Sequence, residues 1–445
     1  VQMMLDQADC GPATLSMSQD VQGEAFDYPE IFFEEKIHEI RRIYPDQNQL
    51  KKAADVIKNS KQPIIISGGG VLYSEAEKEL SDFAKKHNIP VMPTAMGIGC
   101  MDKDDPYYIG PIGCLGVGSS NSLSKDTDLA LAIGTKLGDF TTGSWSNFHN
   151  PDFKLVSINA ARFDVTKHRA TPVVSDAKVG LRELTKKLDD WKAPANWYER
   201  ARKEAKEWDQ YVAKASGPTN QELPTYAHAV GAVYRNADPS DVVVTAAGGL
   251  VGEAVQIWKP KQINTFETEW GFSCMGYEIS GALGMKMAKP DQDFIVFIGD
   301  GSYLLQNSDI YSSVIYEKKL IIIVCDNSGH MVINRLQLAK GGKEYLCNFK
   351  SARASNFVEI DFASHAASMG AESETVTSTS ELEAAFLRAK KSKGTYVISI
   401  KTHGYEWLEG TAFWESPTLE VPNTEGNKQA FKEFKEGKAR QRKGV

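Results

Sequence analysis

Short apolar runs rich in β-branched residues alternate with amphipathic stretches in two separate parts of the sequence, the pattern of repeated βαβ units. The first series is PIIISGG (63–69), IPVMPTA (89–95), LALAIG (129–134) and FKLVSIN (153–159). The second is VVVTAAGG (242–249), INTFET (263–268), DFIVFIG (293–299), LIIIVCDN (320–327) and GTYVISIKT (394–402). Runs that stay apolar on both faces need helices on both sides, so each series predicts a buried parallel sheet. The fold class is α/β, with two parallel-sheet domains over 43–190 and 220–423. Between them, the charged stretch WKAPANWYERARKEAKEWDQYVAKASG predicts a helical connection over 191–219. Residues 424–445 read as a charged, solvated C-terminal tail.

Composition excludes several classes of function. The formal net charge of −7 argues against nucleic acid, whose affinity rests on clustered Lys and Arg. The one basic cluster, KEGKARQRKG, falls in the tail. No apolar run approaches the roughly 18 residues of a membrane helix, so no membrane partner is expected. Six cysteines without a C-x-x-C pair read as thiols of a reducing compartment, which predicts a cytoplasmic protein. The sequence begins with Val1, which is expected of a fragment or a processed product.

Two polar residues end apolar runs of the second series without being needed for packing. Asp300 sits between Gly299 and Gly301, and Asn327 closes LIIIVCDN. A strand over 293–298, a helix over about 308–318 and a strand over 320–325 make one right-handed crossover. That geometry delivers Asp300 and Asn327 side by side at the carboxyl ends of neighbouring strands, where open α/β sheets bind ligands. A carboxylate, an amide oxygen and a nearby backbone carbonyl are hard donors suited to Mg²⁺, which completes its shell with water and phosphate oxygens. Gly301 and Ser302 can offer N–H groups to such a phosphate. Alone, G-D-G after a strand is more often a tight turn.

Spacing adds to this, because 25 residues separate Gly301 from Asn327, and Met275 lies 25 positions before Asp300. In this pattern the chain resembles the thiamine diphosphate (thiamine pyrophosphate) enzymes of the acetolactate synthase type. The resemblance implies thiamine diphosphate and Mg²⁺ as cofactors, with Asp300, Asn327 and the main-chain carbonyl of Gly329 as metal ligands. It implies that Met275, in GFSCMGYEISGALG, is the wedge that bends the cofactor, with the carbonyl of Ser273 accepting from the 4′-amino group. By itself Met275 would read as core packing. Backbone at Gly249 and Leu250, with Gly301 and Ser302, is implied at the diphosphate. Residues 43–190 resemble the family's central domain, and no feature there requires a flavin.

The same resemblance makes residues 1–42 the tail of a pyrimidine-binding domain, its final helix and strand followed by a linker. That domain, which holds the glutamate that activates the cofactor, is largely missing, so this chain alone is expected to be inactive. Segments such as GDGSYLLQNSDI and THGYEWLEGTAFWESPTLEVP point to the branch of the family that hydrolyses a cyclic 1,2-dione of inositol catabolism. The implied substrate is a small polyol dione, and His330, Asn334, Arg335, Gln337, His403 and Trp407 are candidate contacts to it. Each has an ordinary structural reading as well. Family sites form between two chains, which implies a homodimer or homotetramer. Two alternatives stay open: another lyase or carboligase of the acetolactate synthase kind, and a degenerate, non-catalytic binding protein.

Overall fold

The computed structural model describes residues 1–352, 355–408, 410 and 412–443. Its first sheet has five strands, β1 (Pro63–Ser67), β2 (Val91–Pro93), β3 (Leu129–Ile133), β4 (Lys154–Asn159) and β5 (Thr171–Val174), in the order β2-β1-β3-β4-β5. The second has six: β6 (Val242–Thr245), β7 (Phe266–Thr268), β8 (Phe294–Gly299), β9 (Ile321–Asp326), β10 (Glu372–Val376) and β11 (Tyr396–Lys401), in the order β10-β11-β9-β8-β6-β7. Every pairing in both is parallel.

Side chains alternate across a strand, so a strand apolar throughout feeds two cores. Ile65 packs with Leu50, Leu80 and Phe83 on one side of the first sheet, while Ile64 and Ile66 pack with Leu123, Trp197 and Ala201 on the other. In the second sheet, Ile321 and Ile323 join Ala232, Ala254 and Phe386, and Ile322 and Val324 join Ile279 and Phe362. Full burial of each such side chain contributes roughly 1.5–3 kcal/mol. The two domains are joined by one helix, Ala195–Ala215, which is no free linker. Its Trp197, Ala201 and Ala205 belong to the first domain's core and its Val212 to the second's.

The structure departs from the sequence reading in three places. β5 and β10 were not expected, because both are edge strands and carry no continuous apolar run; β5 even holds a proline past its first residue, which an edge strand tolerates. The helix and strand expected within residues 1–42 are not formed. Gln2–Leu5 makes one helical turn, and only isolated 3₁₀ turns follow up to Asp46, because a strand needs a neighbour to bond with and no described residue pairs there. The charged tail is largely exposed, as expected, but it is helical and docked rather than loose. Glu425–Ala439 is a helix with Ala430 and Gly437 buried, Lys438 pairs with Glu415 at 2.7 Å, and the Arg442 guanidinium lies 4.9 Å over the Phe153 ring. Cations on aromatic faces need not point to water. Among the described residues no helix is long and apolar enough to cross a membrane.

Candidate active site

β8 and β9 are direct neighbours, with Gly299 opposite Cys325, so the residues that follow each strand leave the sheet together. Asp300 opens a short helix, Asp300–Leu305, rather than a loop, with a second helix, Asp309–Ile315, completing the crossover. The Asp300 carboxylate is almost fully buried, and its Oδ2 accepts the Gly329 N–H at 2.7 Å. Burial, reinforced by the Asp326 carboxylate, pushes its pKa up to about 7. A carboxylate so placed has no protein cation to neutralise it among its hydrogen-bond partners.

The Asn327 side chain bears directly on this group. One of its two amide atoms lies 2.7 Å from the Tyr226 hydroxyl, and the other lies 3.3 Å from Asp300 Oδ1 and 3.1 Å from the Gly329 carbonyl oxygen. Turned with nitrogen inward, the amide would bond both oxygens. Turned with oxygen inward, it faces the Asp300 and Gly329 oxygens as a third oxygen acceptor. The edge of a Mg²⁺ octahedron, from ligand distances of 2.0–2.1 Å, is about 2.9 Å, close to the 3.1 and 3.3 Å that separate the Asn327 amide atom from the other two oxygens, so the set suits a small hard cation with little adjustment. The donor set therefore fits the metal, and the inward-oxygen orientation is the one a cation selects.

Tyr226, Asp300 and Gly329 border a cavity of about 200 Å³, and Asn327 sits behind them, touching all three without lining it. Of the residues singled out in the sequence, Gly249, Leu250, Ser273, Met275, Asp300, Gly301, Ser302, Gly329 and His330 line it. The ring of His330 lies directly over Gly301, so close that a Cβ there would come within 2.5 Å of its Nδ1. Met275 is at 37 % exposure and Ser273 takes a left-handed backbone, φ 51°.

Five other candidates are not brought to the cavity. Asn334 is buried and donates to Glu344 at 2.6 Å, and Gln337 accepts the Tyr345 N–H at 3.3 Å. The Arg335 guanidinium stacks 4.6 Å over Trp407. His403 donates its N–H to the Pro224 carbonyl, and its Nδ1 accepts from Tyr405 N–H. The helix Met331–Ala339 starts at the cavity and runs away from it, so closeness in sequence to the metal loop does not become closeness in space.

Residues that sequence reading passed over complete the site. Tyr226 lines the cavity from the start of the helix Tyr226–Asn236, 101 residues before Asn327, with no local pattern to announce it. Glu278 ties two loops and a helix together beneath it.

Comparison with known proteins agrees with this geometry. Residues 50–184 match the thiamine pyrophosphate enzyme central domain, and residues 246–400 match the C-terminal TPP binding domain. A 3D-(3,5/4)-trihydroxycyclohexane-1,2-dione hydrolase of Halalkalibacterium halodurans is 36 % identical over 459 aligned positions, covering 97 % of this chain and 71 % of the relative. The chain belongs to the trihydroxycyclohexane-dione hydrolase family of thiamine pyrophosphate enzymes. Family members of the same name from Lacticaseibacillus casei and Clostridium tetani are each 33 % identical, covering 98 % and 93 % of this chain and 72 % and 70 % of their own lengths. Within this family's C-terminal domain match lie Asp300, Asn327 and Gly329, together with Met275 and Glu278. Tyr226 lies outside the matched range.

Two outcomes follow from the geometry. Tyr226→Phe removes the bond that fixes the Asn327 amide, and Mg²⁺ affinity measured by calorimetry should fall about tenfold, the usual effect of losing an orienting partner. A cation must also displace the proton that burial holds on Asp300. Below pH 7 the apparent Mg²⁺ affinity should therefore fall about tenfold per unit, and above it become level, in titrations from roughly pH 5.5 to 8.5.

Proposed function

We propose that this chain holds thiamine diphosphate through Mg²⁺ at the cavity and serves the hydrolytic opening of a cyclic polyol 1,2-dione, the reaction its relatives are named for. The observation that carries the reading is the convergence of Asp300, Asn327 and the Gly329 carbonyl under a cavity floored by glycine backbone. When bound, the cofactor supplies an electron sink for breaking a carbon–carbon bond beside a carbonyl. The chain's own residues bind, orient and shield. Backbone at Gly249, Leu250, Gly301 and Ser302 would hold the diphosphate next to the three oxygens. Met275 and the Ser273 carbonyl, across the cavity, would carry the rings. His330, packed over Gly301 and edge-on to Phe349, closes the metal end against water.

Opening the ring consumes one water. The bond between the two carbonyl carbons breaks, one carbon becomes a carboxylate and the other an aldehyde, and there is no net oxidation or reduction. A second copy of the chain is the proposed cover for the cavity mouth, supported by apolar side chains left bare in two of the segments that line it: Phe272, next to Ser273, is 92 % exposed, and Leu305, in the helix of Asp300 to Ser302, 61 %. A cytoplasmic setting is proposed on the cysteine content alone.

Product analysis tests the reading. Given the cyclic dione, thiamine diphosphate and Mg²⁺, the assembled enzyme should release the ring-opened aldehyde acid, and pyruvate should yield no acetolactate. Acetolactate formation would favour a carboligase, and failure to bind the cofactor at all would leave a degenerate fold.

A further inference from the structure

Glu278 is fully buried in the first turn of the helix Tyr277–Ala288, and its hydrogen-bond partners are all neutral. Its Oε2 accepts the Gly276 N–H at 2.8 Å, its Oε1 accepts the Ala247 N–H at 3.3 Å, and the Ser302 hydroxyl lies 3.1 Å from both oxygens. The Gly276 N–H is shared with Ser302 Oγ, also at 2.8 Å. Those three residues belong to two loops and a helix: the turn after β6, the loop after β7 that carries Met275, and the helix that begins at Asp300.

A buried carboxylate without a cation is costly, and burial raises its pKa above the usual carboxylate range. The charge is tolerated because each carboxylate oxygen receives its own backbone N–H and the Ser302 hydroxyl reaches both. Only a side chain with an acceptor at each end and no donor of its own satisfies both N–H groups, which a glutamine cannot do. The loop between β7 and Glu278 is pinned at its other end as well, since Glu269 accepts from Phe272 N–H at 2.8 Å and from Cys274 N–H at 2.7 Å. Gly276 has φ +94°, and a Cβ there would meet the Gln306 side chain at 2.1 Å, so the loop is seated hard against the end of the Asp300 helix. Met275 stands between these two carboxylate anchors.

We propose that Glu278 is a positioning residue that locks the Met275 loop to the turn at Ala247 and to Ser302, so that ring wedge and diphosphate seat form as one unit. This rests on the thiamine diphosphate reading above. It assigns a role to a carboxylate that touches neither metal nor substrate.

Calorimetry of thiamine diphosphate into the Mg²⁺-loaded protein tests it, with wild-type binding as the control for the underlying reading. In Glu278→Gln the dissociation constant should rise about tenfold, the scale of losing a hydrogen bond to a charged group. The thermal midpoint should change little, and amide exchange at 247 and 276 should accelerate while the core strands stay protected. In the assembled enzyme, the kcat of Met275→Ala/Glu278→Gln should match that of Met275→Ala within about twofold, because residues acting through one unit are not additive. If Glu278→Gln does not fold, Ser302→Ala decides, with an expected loss of about threefold in cofactor affinity. Wild-type binding together with unchanged affinity in the variant that folds, or additive effects on kcat, overturns the proposal. No binding by wild type overturns the cofactor reading instead.

Discussion

Asp300→Ala is expected to lose Mg²⁺-dependent binding of thiamine diphosphate by roughly 100-fold or more, since it removes the one charged ligand between cation and protein. The fold should survive. Asp300 accepts the Gly329 N–H, but it is also a buried carboxyl facing Asp326, whose own cation, Lys401 at 2.6 Å, bonds Asp326 rather than Asp300, and exchanging such a group for a small apolar one costs little and can stabilise. The combination is diagnostic: a thermal midpoint at or above that of wild type, together with no cofactor heat in calorimetry. Wild-type affinity in this variant would place the metal elsewhere. A collapsed midpoint would mean that the carboxylate holds the β8 and β9 loops together rather than a cation.

Met275→Ala has the second largest expected effect, and it falls on a different quantity. The diphosphate end of the cavity, at Gly249, Gly301 and Ser302, is built from residues that this change does not touch. Cofactor affinity should therefore fall less than tenfold, whereas turnover should fall on the order of 100-fold, the usual result of misplacing reacting groups by about 1 Å. Met275→Leu, which keeps the bulk, should recover most of the rate. Equal turnover in the alanine variant and wild type would make Met275 ordinary packing. Parallel losses in affinity and rate would make it a general support of the pocket.

What could be read from the sequence follows a physical division. The central strands announced themselves because burial on both faces demands unbroken apolar runs such as LIIIVC, and Asp300, Asn327 and Gly329 stood out because strand ends place them at fixed offsets. Edge strands β5 and β10 are half wet and carry no such run. Tyr226 and Glu278 act on groups that only the folded sheet brings near, so no spacing betrays them. The opposite error came from trusting adjacency: Asn334, Arg335 and Gln337 follow the metal loop in the chain, but one helical turn is enough to aim them at Glu344, Trp407 and Tyr345.

The stretch after β11 carries a consequence for exchanging parts between relatives. Leaving the second domain, it donates from Leu408 N–H to Glu253, then crosses to the first, where the Phe413 carbonyl accepts from the Cys114 thiol, Trp414 packs on Phe140, and Glu415 N–H reaches Ser144. After the last helix, Arg442 N–H bonds the Trp145 carbonyl, adding a second stitch. The two domains look like interchangeable modules from their separate sheets, but they are sewn together by the polypeptide's own hem. A chimera that grafts a relative's first domain onto this second one would have to bring the matching 113–145 surface with it. Cutting at the helix Ala195–Ala215 alone would leave the graft half stitched.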